Sequence, residues 1–259
     1  MKTKMQILCK CFLIVFFLSI TSFSQSVKQM IAQQSLFSHG MEIHATSMVY
    51  ESEEEKAKQI QDEAITQPSN SPSIYIYNTH QNETYRGGES VYQAALYLAE
   101  RLQQLGFQVV VESGDFQAYG RENGLDYNYS YQISRSFIND AIIEYGGFDY
   151  MIDFHRDAVP YESSILVGED GRTYAKLMCV VGGLGEHAYE IGKMASTISD
   201  NTNRYLPGIM KNTMTREAVY NQDLSESMIL IENGSDTNSF EEVQNSLDIL
   251  AKGLADSLR

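Results

Sequence analysis

Cysteine is scarce in this chain. Of the three in 259 residues, Cys9 and Cys11 fall in an amino-terminal apolar segment, and only Cys179 lies in the body. One thiol cannot close an intrachain disulfide, so the fold rests on its core and not on covalent staples. Nothing near Cys179 in the apolar run 177–181 would activate it, so it reads as a small buried core residue. Positive charge is also short: 19 Lys and Arg face 34 Asp and Glu, for a net charge of −15. Charge alone does not draw such a protein to nucleic acid or to an anionic membrane surface. There is no phosphate-cradling loop, because the glycine-rich residues 182–185 lack its spacing and its following lysine. No internal repeat is visible. The apolar segment at residues 11–23 is short for a membrane span.

What is present suits one substantial domain with appendages. The hydrophobic share of 43% and aromatic share of 11% argue against wholesale disorder. Lys2, Lys4 and Lys10 flank the apolar segment, a pattern that predicts a secretory signal or a retained amino-terminal anchor over residues 1–24. In either case the body is exported, secreted or held at the cytoplasmic membrane. Residues 25–72 read as an acidic spacer. They carry Glu51, Glu53, Glu54 and Glu55, a helix-capable stretch with a weak apolar face, and His39 and His44 as solvated side chains. Pro68 and Pro72 bracket a breaker cluster that marks the boundary. The domain proper is residues 73–259.

Within it, strand-like and helix-like segments alternate. Residues 74–77 alternate β-branched and aromatic side chains as a pleated segment does. Ser90 with Gln93 caps a helix that carries Val91, Ala94, Ala95, Leu98, Leu102 and Leu105 on one face and stops at Gly106. Residues 107–111 form a second, doubly buried strand. Residues 114–129 are a long polar loop of the kind that binds ligands. A helix ends at Gly146 and Gly147, before the strand 148–154. Residues 165–167 and 174–181 flank a hairpin-type turn at Glu169, Asp170 and Gly171. A helix over about 188–203, a strand at 228–231 and a closing helix over about 240–258 follow. This order predicts an α/β fold with a mostly parallel central sheet.

Three of these strands end in reactive side chains. The first is followed by His80 and Glu83, the third by His155, Arg156 and Asp157, and the last by Glu232. Open α/β sheets bind ligands just outside the carboxyl ends of their strands. Two histidines and one carboxylate suffice for a catalytic zinc site that keeps a position open for water. Glu83 is the natural third ligand, with Glu89 as its competitor. A second carboxylate off the metal can act as the base, and Glu232, at the mouth of a buried strand, is partly desolvated in the way a base requires. Arg156 is a candidate to grip a substrate carboxylate. His187, in a glycine-rich turn, is assigned to a loop or to substrate binding and not to metal.

In combination these segments resemble the stage II sporulation protein P family. The residues that carry the resemblance are Thr79, His80, Glu83 and Tyr85; then Ile152, Asp153, His155, Arg156, Asp157 and Ala158; then Tyr220, Asn221, Gln222 and Asp223; then Leu230, Ile231, Glu232 and Asn238. The resemblance covers about residues 73–259 and implies the three-layer fold of the zinc-dependent N-acetylmuramoyl-L-alanine amidases. It implies Zn2+ held by His80, Glu83 and His155, Glu232 as the catalytic carboxylate, and Arg156 and Asn221 as substrate-binding residues. It implies peptidoglycan as substrate, with removal of stem peptides from glycan strands during septal wall remodelling in sporulation. Stage II sporulation proteins D and M are the implied partners, at the membrane. Two rivals stand beside that reading: a cell-wall endopeptidase using the same metal, and an inactive wall-binding scaffold. The family usually reads Glu-Val-Gly-Gly where this chain has Glu232, Asn233, Gly234 and Ser235.

Overall fold

The computed structural model describes residues 53–66 and 71–259. The expected signal or anchor at 1–24 and most of the spacer at 25–72 lie outside the described residues. Among the described residues, no helix is long and apolar enough to cross a membrane.

The elements run α1 (Glu53–Thr66), β1 (Ser73–Tyr77), α2 (Val91–Gln104), β2 (Gln108–Val111), α3 (Phe116–Asn123), a 3-10 turn (Tyr127–Tyr129), α4 (Ser130–Tyr145), β3 (Tyr150–Asp157), α5 (Tyr161–Ser164), β4 (Ile165–Val167), β5 (Thr173–Ala175), β6 (Leu177–Gly182), α6 (Ala188–Tyr205), β7 (Met214–Arg216), β8 (Met228–Ser235) and α7 (Phe240–Ser257). Six strands form one sheet in the order β2-β1-β3-β8-β6-β7, while β4 and β5 make a separate hairpin. β2, β1, β3 and β8 are mutually parallel; β6 runs antiparallel to β8 and parallel to β7. This is the mostly parallel α/β sheet that the alternation of segments predicts.

Strand side chains alternate between two helical layers. On one face Ile74, Ile76, Ile152, Phe154, Ile229 and Ile231 pack in a single apolar cluster with residues of α2, α6 and α7. On the other face Tyr75, Tyr77, Met151 and Met228 pack against Ile138 and Ala141 of α4. The result is helix, sheet, helix. The capping boxes of Ser90 with Gln93 and of Ser239 with Glu242 start α2 and α7.

Three elements go beyond the sequence reading. Residues 53–66 form a helix whose Ala57 and Ile60 are buried in the large cluster, and Gln103 Nε2 donates to the Ile60 carbonyl at 2.6 Å. A face this narrow does not sustain a helix by itself, and tertiary packing supplies what it lacks. The loop at 114–129 is not irregular throughout. It contains α3, capped by the Asp115 side chain on Ala118 N–H and ended by Gly124 in the left-handed conformation. The second arm of the expected hairpin divides at Lys176, so that β5 stays with β4 while β6 enters the main sheet.

Candidate metal centre

The centre of the sheet places β1, β3 and β8 side by side, with their carboxyl ends together. Just beyond β1 the chain is clamped to β3. Asn78 Nδ2 donates to the Phe154 carbonyl at 2.6 Å, Thr79 N–H donates to Asp153 Oδ1 at 3.0 Å, and Thr79 Oγ1 donates to Asp153 Oδ2 at 2.8 Å. A tight turn follows, closed by Glu83 N–H on the His80 carbonyl at 3.0 Å. The turn brings Glu83 back against His80, with Oε1 3.6 Å from His80 Nδ1. His155 comes from β3, only 3% exposed. Its Nδ1 lies 3.5 Å from Glu83 Oε2, and its ring meets that of His80 edge-on at 5.1 Å.

These spacings bear on whether the residues fit a metal. Ligands about 2.1 Å from a tetrahedral zinc stand about 3.4 Å apart. The two nitrogens are separated from the Glu83 oxygens by nearly that distance, and one ligand atom from each of His80, Glu83 and His155 lies within 4.8 Å of the others. Behind His155, Asp153 Oδ1 stands 2.7 Å from Nε2, off the line of a hydrogen bond. A carboxylate at the rear nitrogen of a ligating histidine is what orients such a ring. The donor set therefore fits a cation of the zinc type. Glu89 does not join the cluster, so of the two candidates the fold brings in Glu83.

Charge points the same way. Burial alone would raise the pKa of Glu83, but hydrogen bonds with His155 and His80 outweigh it and bring it down to about 2. Burial disfavours a charged His155, yet Asp153, Glu83 and Glu232 overcome that and push its pKa well above the usual histidine range. The carboxylates draw positive charge to this point, as protons or as a metal.

Glu232 pairs in register with His155 across β3 and β8. Burial chiefly drives its carboxyl up to about 7, with His155 pulling the other way and Glu83, Asp157 and Asp153 adding to the rise. Its Oε2 is buried without a hydrogen-bond partner. After Glu232 the chain makes a floor. Gly234 has φ of 67°, and a Cβ there would stand 2.8 Å from the Ala175 Cβ and 2.9 Å from Asn238 Oδ1. Asn238 Oδ1 in turn accepts from Ser235 N–H at 2.8 Å. Asn233 is wholly buried, and neither polar atom of its side chain has a partner.

The remaining expected residues fall elsewhere. Arg156 N–H donates to Glu83 Oε2 at 3.1 Å, while its guanidinium donates to the main-chain carbonyls of Thr84 and Asp157. It braces the ligand turn; its Nε and Nη1 are not free to hold a substrate. Asn221 is buried, with φ of 59°, and its Nδ2 donates to the Tyr131 carbonyl and to Ser134 Oγ. Its amide is committed within the protein, where it anchors Tyr131, whose ring lies 5.7 Å from that of His80. His187 precedes α6 beside Glu186 and is not part of the cluster.

One neighbour escaped the sequence reading. The Tyr127 hydroxyl lies 3.2 Å from His80 Nδ1, and the two rings are 4.9 Å apart. Its only signal in the sequence is its place in the polar segment 114–129.

Known proteins align with this picture. A solved structure of the CwlD amidase from Clostridioides difficile, in complex with the GerS lipoprotein, superposes with a TM-score of 0.52 at 15% identity, over 73% of this chain and 98% of that one. An N-acetylmuramoyl-L-alanine amidase from Clostridium difficile 630 superposes with a TM-score of 0.47 at 16% identity, over 73% and 95%. What this chain shares with the CwlD amidase is the fold. In sequence, the stage II sporulation protein P of Bacillus subtilis (strain 168) is 28% identical over 197 residues, which are 69% of this chain and 49% of that protein. The chain thus spans about half the length of this curated relative. The family model of stage II sporulation protein P matches residues 19–255. With the model matched over nearly its whole length, this chain belongs to the stage II sporulation protein P family.

Proposed function

We propose that this protein is a zinc-dependent peptidoglycan hydrolase, an N-acetylmuramoyl-L-alanine amidase that removes stem peptides from glycan strands. The observation that carries the reading is a His80–Glu83–His155 cluster at ligand spacing beside a carboxyl, Glu232, that burial brings to about 7.

A bound zinc ion would polarise the scissile carbonyl and acidify water. His80, Glu83 and His155 would hold the ion, and Asp153, 2.7 Å from His155 Nε2, would steady that ring from behind. Glu232 takes a proton from the attacking water as its oxygen adds to the lactyl carbonyl carbon. It returns that proton to the alanine nitrogen as the carbon–nitrogen bond breaks, leaving a free amine and a carboxylic acid. A carboxyl that titrates near neutrality serves both directions of that transfer. Tyr127, its hydroxyl beside His80, is placed to donate to the carbonyl oxygen as negative charge develops there.

The family's name supports a role in sporulation; septal wall remodelling at the outer face of the membrane, with stage II sporulation proteins D and M as partners, is the fuller form of the proposal. The test is twofold. The purified chain is assayed for zinc, beside its His155→Ala variant, and then incubated with purified peptidoglycan. About one zinc per chain, lost in the variant, with release of intact stem peptides, is the expected result. Cleavage confined to peptide cross-links would make it an endopeptidase. Bound zinc without turnover would make it a scaffold.

A further inference from the structure

Asparagine is followed by glycine twice in this chain, at Asn123–Gly124 and at Asn233–Gly234. Asparagine is thermolabile, and most so before glycine, which has no side chain to screen its nitrogen from the amide ahead of it. The two pairs share that chemistry and differ in setting. Asn233 is wholly buried in β8, and Gly234 N–H donates to the Lys176 carbonyl at 2.9 Å. Asn123 is the exposed last residue of α3. Gly124 N–H reaches the Arg121 carbonyl at a slack 3.4 Å, and nothing lies within 4 Å of where a Cβ on Gly124 would stand. The Asn123 amide is held within its own helix, Nδ2 donating to the Tyr119 carbonyl at 2.8 Å. A helical backbone turns the following nitrogen away from the side-chain carbonyl. Helix ends fray, however, and fraying at the end of α3 frees the amide and lets the two atoms meet.

We propose that Asn123–Gly124 is a site of spontaneous main-chain modification, and that its isomerisation detaches Tyr127 from the metal centre. The Gly124 nitrogen attacks Asn123 Cγ. The new carbon–nitrogen bond closes a succinimide ring, the bond from Cγ to Nδ2 breaks, and the amide leaves as ammonia with the proton that the Gly124 nitrogen gives up. Water then opens the ring at either carbonyl. One product is aspartate in an ordinary main chain. The other is isoaspartate, in which the main chain runs through the side-chain carboxyl. The step consumes water alone and needs neither oxidant nor reductant.

Isoaspartate adds a methylene to the main chain where α3 hands over to Gly124, whose φ is 67°. That cap is closed by Leu125 N–H on the Gly120 carbonyl at 2.8 Å, a bond that the longer path does not preserve. Leu125 and Asp126 lead directly to Tyr127, and the Asp126 side chain starts its turn by accepting from Asn128 N–H. Moving the end of α3 therefore draws the Tyr127 hydroxyl away from His80 Nδ1, from which it stands 3.2 Å. Either product also places a negative charge at the carboxyl end of a helix, next to Glu122, where the helix dipole opposes it. The outer wall of the centre thus has a chemical lifetime that the residues on its strands do not share.

The test is to warm the full chain in mildly alkaline buffer, with and without denaturant, and to map its peptides by mass spectrometry, with an isoaspartate-specific methyltransferase as the label. In the folded chain Asn123 should convert at least about tenfold faster than Asn233, because a helix end opens far more readily than the middle of a sheet. In denaturant the two should convert alike. Hydrogen exchange across residues 125–129 should rise with the isoaspartate fraction, and neither change should appear in Asn123→Gln. Asn123 is exposed, so that variant keeps its fold, which an unchanged melting temperature would verify. Equal rates at the two asparagines in the folded chain would overturn the site. So would an Asn123 that converts in denaturant and persists in the folded chain. Unchanged exchange at Tyr127 in the isomerised chain would overturn the detachment.

Discussion

Strand β3 carries two interiors on one backbone. Ile152 and Phe154 point into the large cluster beneath α2 and α7, whereas Asp153 and His155, one residue along in each case, point to the opposite face. All four are nearly inaccessible, at 0%, 0%, 1% and 3% exposure. Equal burial has opposite energetic sense on the two sides. Apolar burial at Ile152 and Phe154 stabilises the fold. At Asp153 and His155 charge is taken out of water, and its cost is offset only by neighbours of opposite sign. The contrast separates what keeps this protein folded from what it is folded for.

Glu232→Gln should produce the largest effect and confine it to the chemical side. The amide keeps the shape but cannot carry a proton, so kcat on peptidoglycan should fall about 10²–10⁴-fold while zinc content stays the same. Loss of zinc together with activity would show that Glu232 is a ligand and not the base. On the apolar side, Phe154→Ala should cost about 3–5 kcal/mol in a denaturant titration, by the same amount with and without zinc. Zinc itself should sharpen the contrast. At about a thousandfold excess over its dissociation constant it should add about 4 kcal/mol to the parent and to Phe154→Ala, and nothing to His155→Ala. A zinc effect that persists in His155→Ala would place the metal elsewhere.

A smaller effect follows from pH. The Glu232 carboxyl is raised from 4.5 to about 7 in the folded, metal-free protein, so folding favours its protonated form. That contribution is present in full below pH 4.5 and is lost as pH rises through 7. Glu232→Gln should therefore stabilise the metal-free protein by about 1–2 kcal/mol above pH 7 and leave it unchanged below pH 4.5, as thermal unfolding across that range would read. Equal gains at both ends would dissociate the effect from ionisation. The smallest change concerns the residue after Glu232. Asn233→Val removes two buried, unpartnered polar atoms and should raise stability by about 1 kcal/mol. A loss instead would mean that Asn233 is partnered in solution.

The two sides were not equally legible in the sequence. Periodicity located β1, β3 and β8, because a strand buried on both faces has a run of apolar residues and a sharp polar end. His80 follows β1, while His155 and Glu232 lie within the carboxyl-terminal halves of β3 and β8, which run on past their apolar stretches, so the three could be proposed together. Glu83 over Glu89 depended on a turn, closed by a hydrogen bond from Glu83 N–H, whose geometry no spacing reveals. Asn221 shows the limit. A left-handed backbone and hydrogen bonds to Tyr131 and Ser134, 90 and 87 residues earlier, turn its side chain inward. Those partners belong to another helix, and sequence order does not announce them. Tyr127 reaches His80 for the same kind of reason, across 47 residues. Three-residue β7 and the narrow face of α1 carry too few residues for a period to show.

The order of strands in the sheet has a consequence in time. β8 enters the sheet beside β3, yet among the described strands it is synthesised after all the others, and Glu232 comes with it. A chain that has emerged only as far as β6 contains both histidines and Glu83 but no base. Parallel pairing between distant segments is slow to form, because a long loop must close before any contact repays it. If the proposed mechanism holds, no partial version of the chain could act, and the ability would come in a single late event, when β8 closes the centre of the sheet.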